Sequence, residues 1–301
     1  MNLAAEKRLK FIESRLYWEG WVRRGNIEDF FQISTPQATK DIKEYKEKAP
    51  DNIIYDSVGK MYVASKSFKP VFEEPSSEDY LNRLLHLNIK TKTNQFFYGT
   101  ITNYAAIPRI RRFVDTEVLR SLTTAINHRM SINIIYQSMS KESPTSRWVS
   151  PHSLAHDGNR WHIRAFCHEK QHFSDFNLSR ILQVIELRKN NISYNLDYLW
   201  STDVPLEIEP NPSLTGGKRA CIELDYEMKD GKKEFKIPAA FYYYIKVSYG
   251  FDINRDDEDG RKQQIILRNK KEVEQKIELL EELSKTAIRK EIEAGKISLF
   301  Q

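Results

Sequence analysis

The chain has only two cysteines, Cys167 and Cys221, among 301 residues. Two thiols are too few for a disulfide framework or a cysteine-rich zinc site, and a reducing cytoplasm is the expected compartment. No run approaches the roughly 18 consecutive apolar residues of a membrane-spanning helix, so no membrane partner is expected. The start, MNLAAEKRLKFIESRL, lacks the apolar core and small-residue cleavage site of a secretory signal. The C-x-x-C spacing and a helical H-x-x-x-H, either of which would gather metal ligands, are absent, as is the G-x-S-x-G turn that exposes a hydrolase serine. Thr215-Gly216-Gly217-Lys218-Arg219 ends like a phosphate loop, yet Pro212 stands where the first glycine belongs and Arg219 where a magnesium-holding hydroxyl belongs. No internal repeat is visible. No metal, cofactor or enzymatic activity is expected.

What the chain does have is 40% apolar and 12% aromatic residues, enough for packed cores, and a length that implies more than one domain. Its net charge of +5 is uneven: residues 1–70 carry +3, residues 71–190 carry +5 and residues 191–301 carry −3. A polyanion would meet the first two thirds.

At the N-terminus, Leu9, Ile12, Leu16 and Val22, with Phe11 and Trp18, predict an amphipathic helix over 3–24 that stops at Gly25. Asn26 is placed to cap a short helix over 27–32. In TPQATKDIKEYKEKAP, Thr35 can cap and Pro36 suits the first turn. Ala38, Ile42 and Tyr45 then face inward, leaving Gln37, Lys40, Lys43 and Glu44 outward. NIIYDSVGKMYVAS reads as a hairpin around 56–59. Three helices and a hairpin in this order make a winged helix-turn-helix. The groove-facing set would be Ser34, Thr35, Gln37, Thr39, Lys40 and Lys43: glutamine can pair with adenine, and hydroxyls and lysines can hold phosphate or read guanine. Tyr55, Lys60 and Tyr62 on the wing would reach an adjacent backbone. The alternative is a solvated helix in a protein-binding winged helix.

Residues 67–79 read as a linker, followed by a short helix over 80–88 and the basic cluster Arg109, Arg111 and Arg112, either a further DNA or hinge contact or simply solvated. Asp115 caps a helix that runs to about residue 129. From 131 to 188 short strands dominate: SINIIYQS alternates, and RWVSPHSLA and RWHIRAFC flank a turn at 157–159. These suggest a small, strongly bent sheet or open barrel. In the tail, RACIELDYEM and KKEFKIP read as a hairpin, AAFYYYIKVSYG as a helix, KQQIILRN as a strand after an acidic turn at 256–260, and 271–293 as a long helix.

Five of the seven histidines, His152, His156, His162, His168 and His172, crowd into WVSPHSLAHDGNRWHIRAFCHEKQH. Strand alternation sets His162, Arg164 and Phe166 on one face and Trp161, Ile163 and Ala165 on the other, with Trp161 expected to anchor the core. An arginine beside the best-placed imidazole disfavours a cation. Tyr136, Ser138, His152, Arg164 and Arg180 can instead converge on one face, where the arginine forks suit a phosphate. Equally, these side chains can do no more than pair with carboxylates such as Asp175 and Glu186.

The combined pattern resembles bacterial WYL-domain transcription regulators, in particular the BrxR and CapW type that regulates anti-phage defence loci such as BREX and CBASS. The carrying residues are Arg147 to His152, Arg160 to Phe166, Phe173 and Phe176 to Ile181 in the centre, STPQATKDIKEYKEKAPDNIIYD at the N-terminus and ELDYEMKDG in the tail. The naming Trp-Tyr-Leu triplet stands here as Trp161-His162-Ile163. The resemblance implies an α+β multidomain chain: a winged helix-turn-helix over 1–70, a linker with helices over 71–114, a WYL sensing domain of small Sm-like barrel type over 115–190 and an α/β dimerisation domain over 191–301. It further implies a homodimeric repressor on an inverted repeat in duplex DNA. A nucleotide or nucleic-acid fragment would be sensed at the pocket positions above together with His162. The 271–293 helix and Phe241 to Tyr244 are the expected dimer contacts. A different class stays open: a nucleic-acid-sensing effector or accessory protein whose central domain binds single-stranded DNA or RNA.

Overall fold

In the computed structural model, which describes residues 2–86, 97–107, 110, 112–251, 260 and 262–300, the chain divides into two units, Met1–Arg109 and Ile110–Gln301. Arg109, Arg111, the end of the predicted 80–88 helix and most of the acidic turn at 256–260 lie outside the described residues.

The first unit is a winged helix. Helix α1 (Leu3–Trp18) starts where the Asn2 side chain accepts the Ala4 N–H at 2.8 Å, and it buries Leu9, Phe11, Ile12 and Leu16. It ends earlier than its apolar spacing predicts. Gly20 adopts φ +82°, a left-handed turn that suits glycine, and the chain reverses into β1 (Trp21–Val22). Gly25 is no stop; it lies inside α2 (Arg24–Phe31). Asn26 works from the third position of that helix, accepting the Arg23 N–H at 2.8 Å. Helix α3 (Thr35–Lys48) takes extended Ser34 as its N-cap, one residue before the predicted Thr35, and buries Ala38, Ile42 and Tyr45 as the spacing requires. The hairpin of β2 (Ile53–Asp56) and β3 (Met61–Ala64) gains β1 as a third strand, in the order β1-β3-β2. Beyond it the buried Glu13 carboxylate accepts the N–H groups of Val71, Phe72 and Glu73 at 2.9, 2.8 and 3.2 Å, which fixes part of the predicted linker to α1. Helix α4 (Ser77–His86) begins three residues before the predicted start at Tyr80.

In the second unit Asp115 caps α5 (Thr116–Asn127) by accepting the Glu117 and Val118 N–H groups, both at 2.9 Å. The helix lies on a sheet of β4 (Met130–Tyr136), β5 (Thr145–His156), β6 (Trp161–Cys167), β7 (His172–Asn177) and β8 (Ile181–Lys189), ordered β7-β6-β5-β4-β8. The core between them holds Val118, Leu122, Ile132, Ile134, Ile163 and Ala165. Register breaks in β4 and between Pro151 and Ser153 in β5 bend the sheet. Its other face, carrying Phe166 and Phe173, is covered by Ile288, Ile292 and the tail residues Ile297 and Leu299. Trp161 is not a core anchor: it is 50% exposed and leans on the His156 ring.

The C-terminal part adds α6 (Tyr198–Ser201), β9 (Asp203–Pro210), α7 (Gly216–Asp225), β10 (Lys233–Pro238), α8 (Tyr242–Ser248), β11 (Ile265–Leu267) and α9 (Lys270–Glu293). The predicted hairpin of RACIELDYEM with KKEFKIP is wrong in its first arm. That arm is α7, and β10 pairs with β9 in the order β10-β9-β11. Val204, Leu206 and Ile208 of β9 supply the alternation that makes it the central strand. Among the described residues no helix is long and apolar enough to cross a membrane.

Candidate nucleic-acid interface and central polar site

On α3, Thr35, Thr39, Lys40 and Lys43 are exposed. Lys40 pairs with no carboxylate among the described residues, and Lys43 lies 3.9 Å from Glu47 where both are well solvated, a separation that contributes little. The Thr39 hydroxyl donates back to the Thr35 carbonyl at 2.9 Å. Gln37 differs from its prediction. It is half-buried, and its Nε2 donates to Asp41 Oδ1 at 2.8 Å. Asp41 is 1% exposed and is gripped from α1 by Arg8, Nε to Oδ2 at 2.6 Å and Nη2 to Oδ1 at 3.1 Å. On the wing, Tyr55 and Lys60 are exposed as expected, with Tyr55 packed on Tyr62 at 5.0 Å between rings and Lys60 at φ +49°.

The central set is split into two places. His152 is the extra residue of the β5 bulge, which turns its ring out of the strand's alternation. Its Nε2 lies 3.1 Å from Asp197 Oδ2, and Ser153 Oγ lies 2.9 Å from its Nδ1. Asp197, at the start of α6, also takes Arg164 Nε at 2.7 Å and Nη2 at 2.9 Å, while Arg164 Nη1 reaches Asp175 at 3.3 Å. Asp175 in turn accepts from the Tyr244 hydroxyl at 2.9 Å. The fork of Arg164 is therefore filled by the chain's own carboxylates and does not stand open to a guest. One of the two carboxylates offered by the sequence, Asp175, takes part; Glu186 pairs instead with Arg188 at 2.7 Å. Burial pushes the Asp197 carboxyl up, but Arg164 and His152 outweigh it and hold the group below the usual carboxylate range. Burial pulls Arg164 down, and its bonds to Asp197 and Asp175 more than restore it.

Beside this network lies a cleft of about 670 Å³ whose walls include Arg164 and Lys246 but also Asp175, Asp197, Glu274 and Glu278. Carboxylates outnumber cations among its lining residues.

Tyr136, Ser138 and Arg180 lie in the other place, and His162, whose ring packs on Tyr244 at 5.2 Å, borders both. The Tyr136 hydroxyl accepts the Asn177 N–H at 3.3 Å, the Gln137 N–H donates to the Arg180 carbonyl at 3.0 Å, and Ser138 meets Ser140 at 3.1 Å. His162 and Asn177 are cross-strand partners, and the buried His162 Nδ1 and Asn177 Nδ2 have no hydrogen-bond partner among the described residues. Burial lowers the His162 pKa against the pull of Asp157 and Asp175, with Arg160 and Arg180 adding to the lowering. Arg180 is half-buried and in no ion pair among the described residues. Asn177 and Asp197 were missed as site residues by sequence reasoning: Asn177 reads only as part of the Phe176 to Ile181 strand pattern, and Asp197 lies 33 residues beyond its arginine.

The remaining histidines separate. His168 is buried with Nε2 2.8 Å from Ser150 Oγ, its Nδ1 accepts the Phe300 N–H at 3.2 Å, and burial lowers its pKa to about 4. His172 faces its own neighbours Phe173 and Ser174. Among the described residues no three His, Cys, Asp or Glu side chains are grouped to hold a metal. Arg112 is exposed.

Three family descriptions match in chain order: the BrxR transcriptional regulator winged helix-turn-helix domain at residues 4–86, the WYL domain at 117–186 and the BrxR transcriptional regulator C-terminal dimerization domain at 203–273. The DNA-binding transcriptional repressor CapW of Escherichia coli (strain KTE188) is 38% identical over 269 residues, 89% of this chain and 90% of the relative. The CapW repressors of Pseudomonas aeruginosa and Stenotrophomonas maltophilia are 36% and 32% identical, covering 91% and 89% of this chain and 92% and 91% of their own. The chain belongs to the BrxR and CapW family of WYL-domain transcriptional regulators.

Proposed function

We propose that this protein is a DNA-binding transcriptional repressor of the cytoplasm, a homodimer that reads an inverted repeat controlling a phage-defence operon. It carries out no catalysis. The observation that carries this reading is the exposed polar face of α3, with Lys40 in no ion pair among the described residues, in a chain whose relatives over about nine tenths of its length are named repressors. A helix in that position of a winged fold enters the major groove with its first turns against base edges. Ser34, Thr35, Gln37 and Thr39 occupy those turns, and Lys40, Lys43, Tyr55 and Lys60 are set for flanking phosphates. Two-fold pairing suits an inverted repeat. Exposed Tyr243 and Val247 on α8, and Leu279 and Leu283 on α9, offer apolar side chains at i, i+4 for it.

The sensing reading moves within the central domain. Arg164 and His152 serve the Asp197 network, and the anion is better received near Arg180, where His162 and Asn177 leave buried polar atoms unsatisfied. A nucleotide or nucleic-acid fragment bound there releases DNA only through a difference in affinity between two dimer states. The test is a gel shift of the full chain on duplex DNA from upstream of its own operon, on scrambled duplex and on the single strand. Binding to the native duplex at least about 10³-fold tighter than to the scrambled one is expected. Equal or tighter binding to the single strand would favour a nucleic-acid-sensing effector instead.

A further inference from the structure

We infer that Asp41, held by Arg8, is a positioning residue that orients Gln37 to read an adenine in each operator half-site. The inference rests on the placement of α3 in the major groove, and adds to it a specificity device built from three side chains. Gln37 is the third residue of α3, within the turn that meets base edges. A free glutamine carboxamide can present its oxygen and nitrogen in either order, and ordering it on binding costs rotamer entropy.

Here the order is set. Asp41 receives two N–H bonds from the Arg8 guanidinium, at 2.6 and 3.1 Å, and an ionised carboxylate has no hydrogen to give. The atom of Gln37 that faces it at 2.8 Å must therefore be the nitrogen. That leaves one N–H and the carbonyl oxygen for a partner. Adenine shows the complement in the major groove, an N7 acceptor beside an N6 donor, whereas guanine shows two acceptors. Arg8 also neutralises Asp41, so that this carboxylate, 1% exposed, does not repel the phosphates that flank the site. Asp41 touches no base itself and acts only through Gln37.

The experiment measures binding of the full chain to its footprinted operator and to single base-pair replacements across a half-site. The wild type should lose about ten-fold in affinity when one A·T pair is replaced, or when its adenine becomes 7-deazaadenine, which lacks the N7 acceptor. Gln37→Ala should erase both penalties at that position and its symmetry mate. Asp41→Asn should cut them to about three-fold or less with the salt dependence unchanged, because an asparagine can face either end of the carboxamide. If Asp41→Asn alone does not fold, Arg8→Met with Asp41→Asn removes the stranded guanidinium and keeps the ambiguity. Full discrimination retained by Gln37→Ala or by the Asp41 variants overturns the inference. Lys40→Ala and Lys43→Ala run in parallel: an affinity unchanged by them means that α3 is not in the groove, and that failure is distinct from a positioning failure.

Discussion

The face of α3 and the β6 site are both polar and both cationic, yet they are opposite in what their cations meet. Lys40 stands in solvent with no carboxylate partner among the described residues, and Lys43 has only a long, solvated contact with Glu47. Arg164 is buried in the second unit, with its guanidinium bonded to both Asp197 and Asp175. The first arrangement leaves its charge for a guest. The second spends its charge on the fold, tying the start of α6 to the sheet. An arginine marks an anion site only when the chain has not already supplied the anion.

That contrast can be broken most severely at Asp197. Asp197→Ala removes two of the three carboxylate bonds of buried Arg164 and should cost about 3 kcal/mol in urea unfolding, whereas replacing the pair together, Arg164→Met with Asp197→Leu, should cost far less. A loss below about 1 kcal/mol for Asp197→Ala would mean that the network is no clasp.

Next comes His168. Its folded pKa of about 4 lies below the 6.5 of an unperturbed histidine, so the unfolded chain binds the proton first as the pH falls. The stabilisation is complete above pH 6.5 and is lost progressively down to about pH 4, a change of ~3 kcal/mol. Urea unfolding at several pH values should show this slope, and His168→Asn should flatten it. Smaller again is Tyr244→Phe, which removes one hydrogen bond to Asp175 and should cost ~1 kcal/mol in the same measurement. At the far end, Lys40→Ala and Lys43→Ala should leave stability within about 0.5 kcal/mol, as exposed positions do.

Much of this was legible from local pattern. The inward triplet Ala38, Ile42 and Tyr45 and the Asp115 cap follow from short-range rules of spacing and hydrogen bonding, and they stand where those rules put them. Alternation correctly set His162, Arg164 and Phe166 opposite Ile163 and Ala165. What escaped is what the chain decides at a distance. The end of α1 depends on β1 pairing with a wing strand some 40 residues later, between Trp21 and Val63. The direction of His152 depends on a bulge against β6, and the occupation of Arg164 on Asp197. RACIEL reads equally as strand or helix, and only the claim of β9 on β10 decides it. Gln37 is half-buried because its amide donates to Asp41 one turn on, a carboxylate that Arg8 holds from α1.

The central claim, that α3 meets the DNA backbone and bases, is tested most directly by the salt dependence of operator binding. Each phosphate contact contributes about 0.9 to the slope of log affinity against log salt, so removing Lys40 and Lys43 from both subunits should flatten it by about 3 to 4. An unchanged slope and affinity would contradict the account.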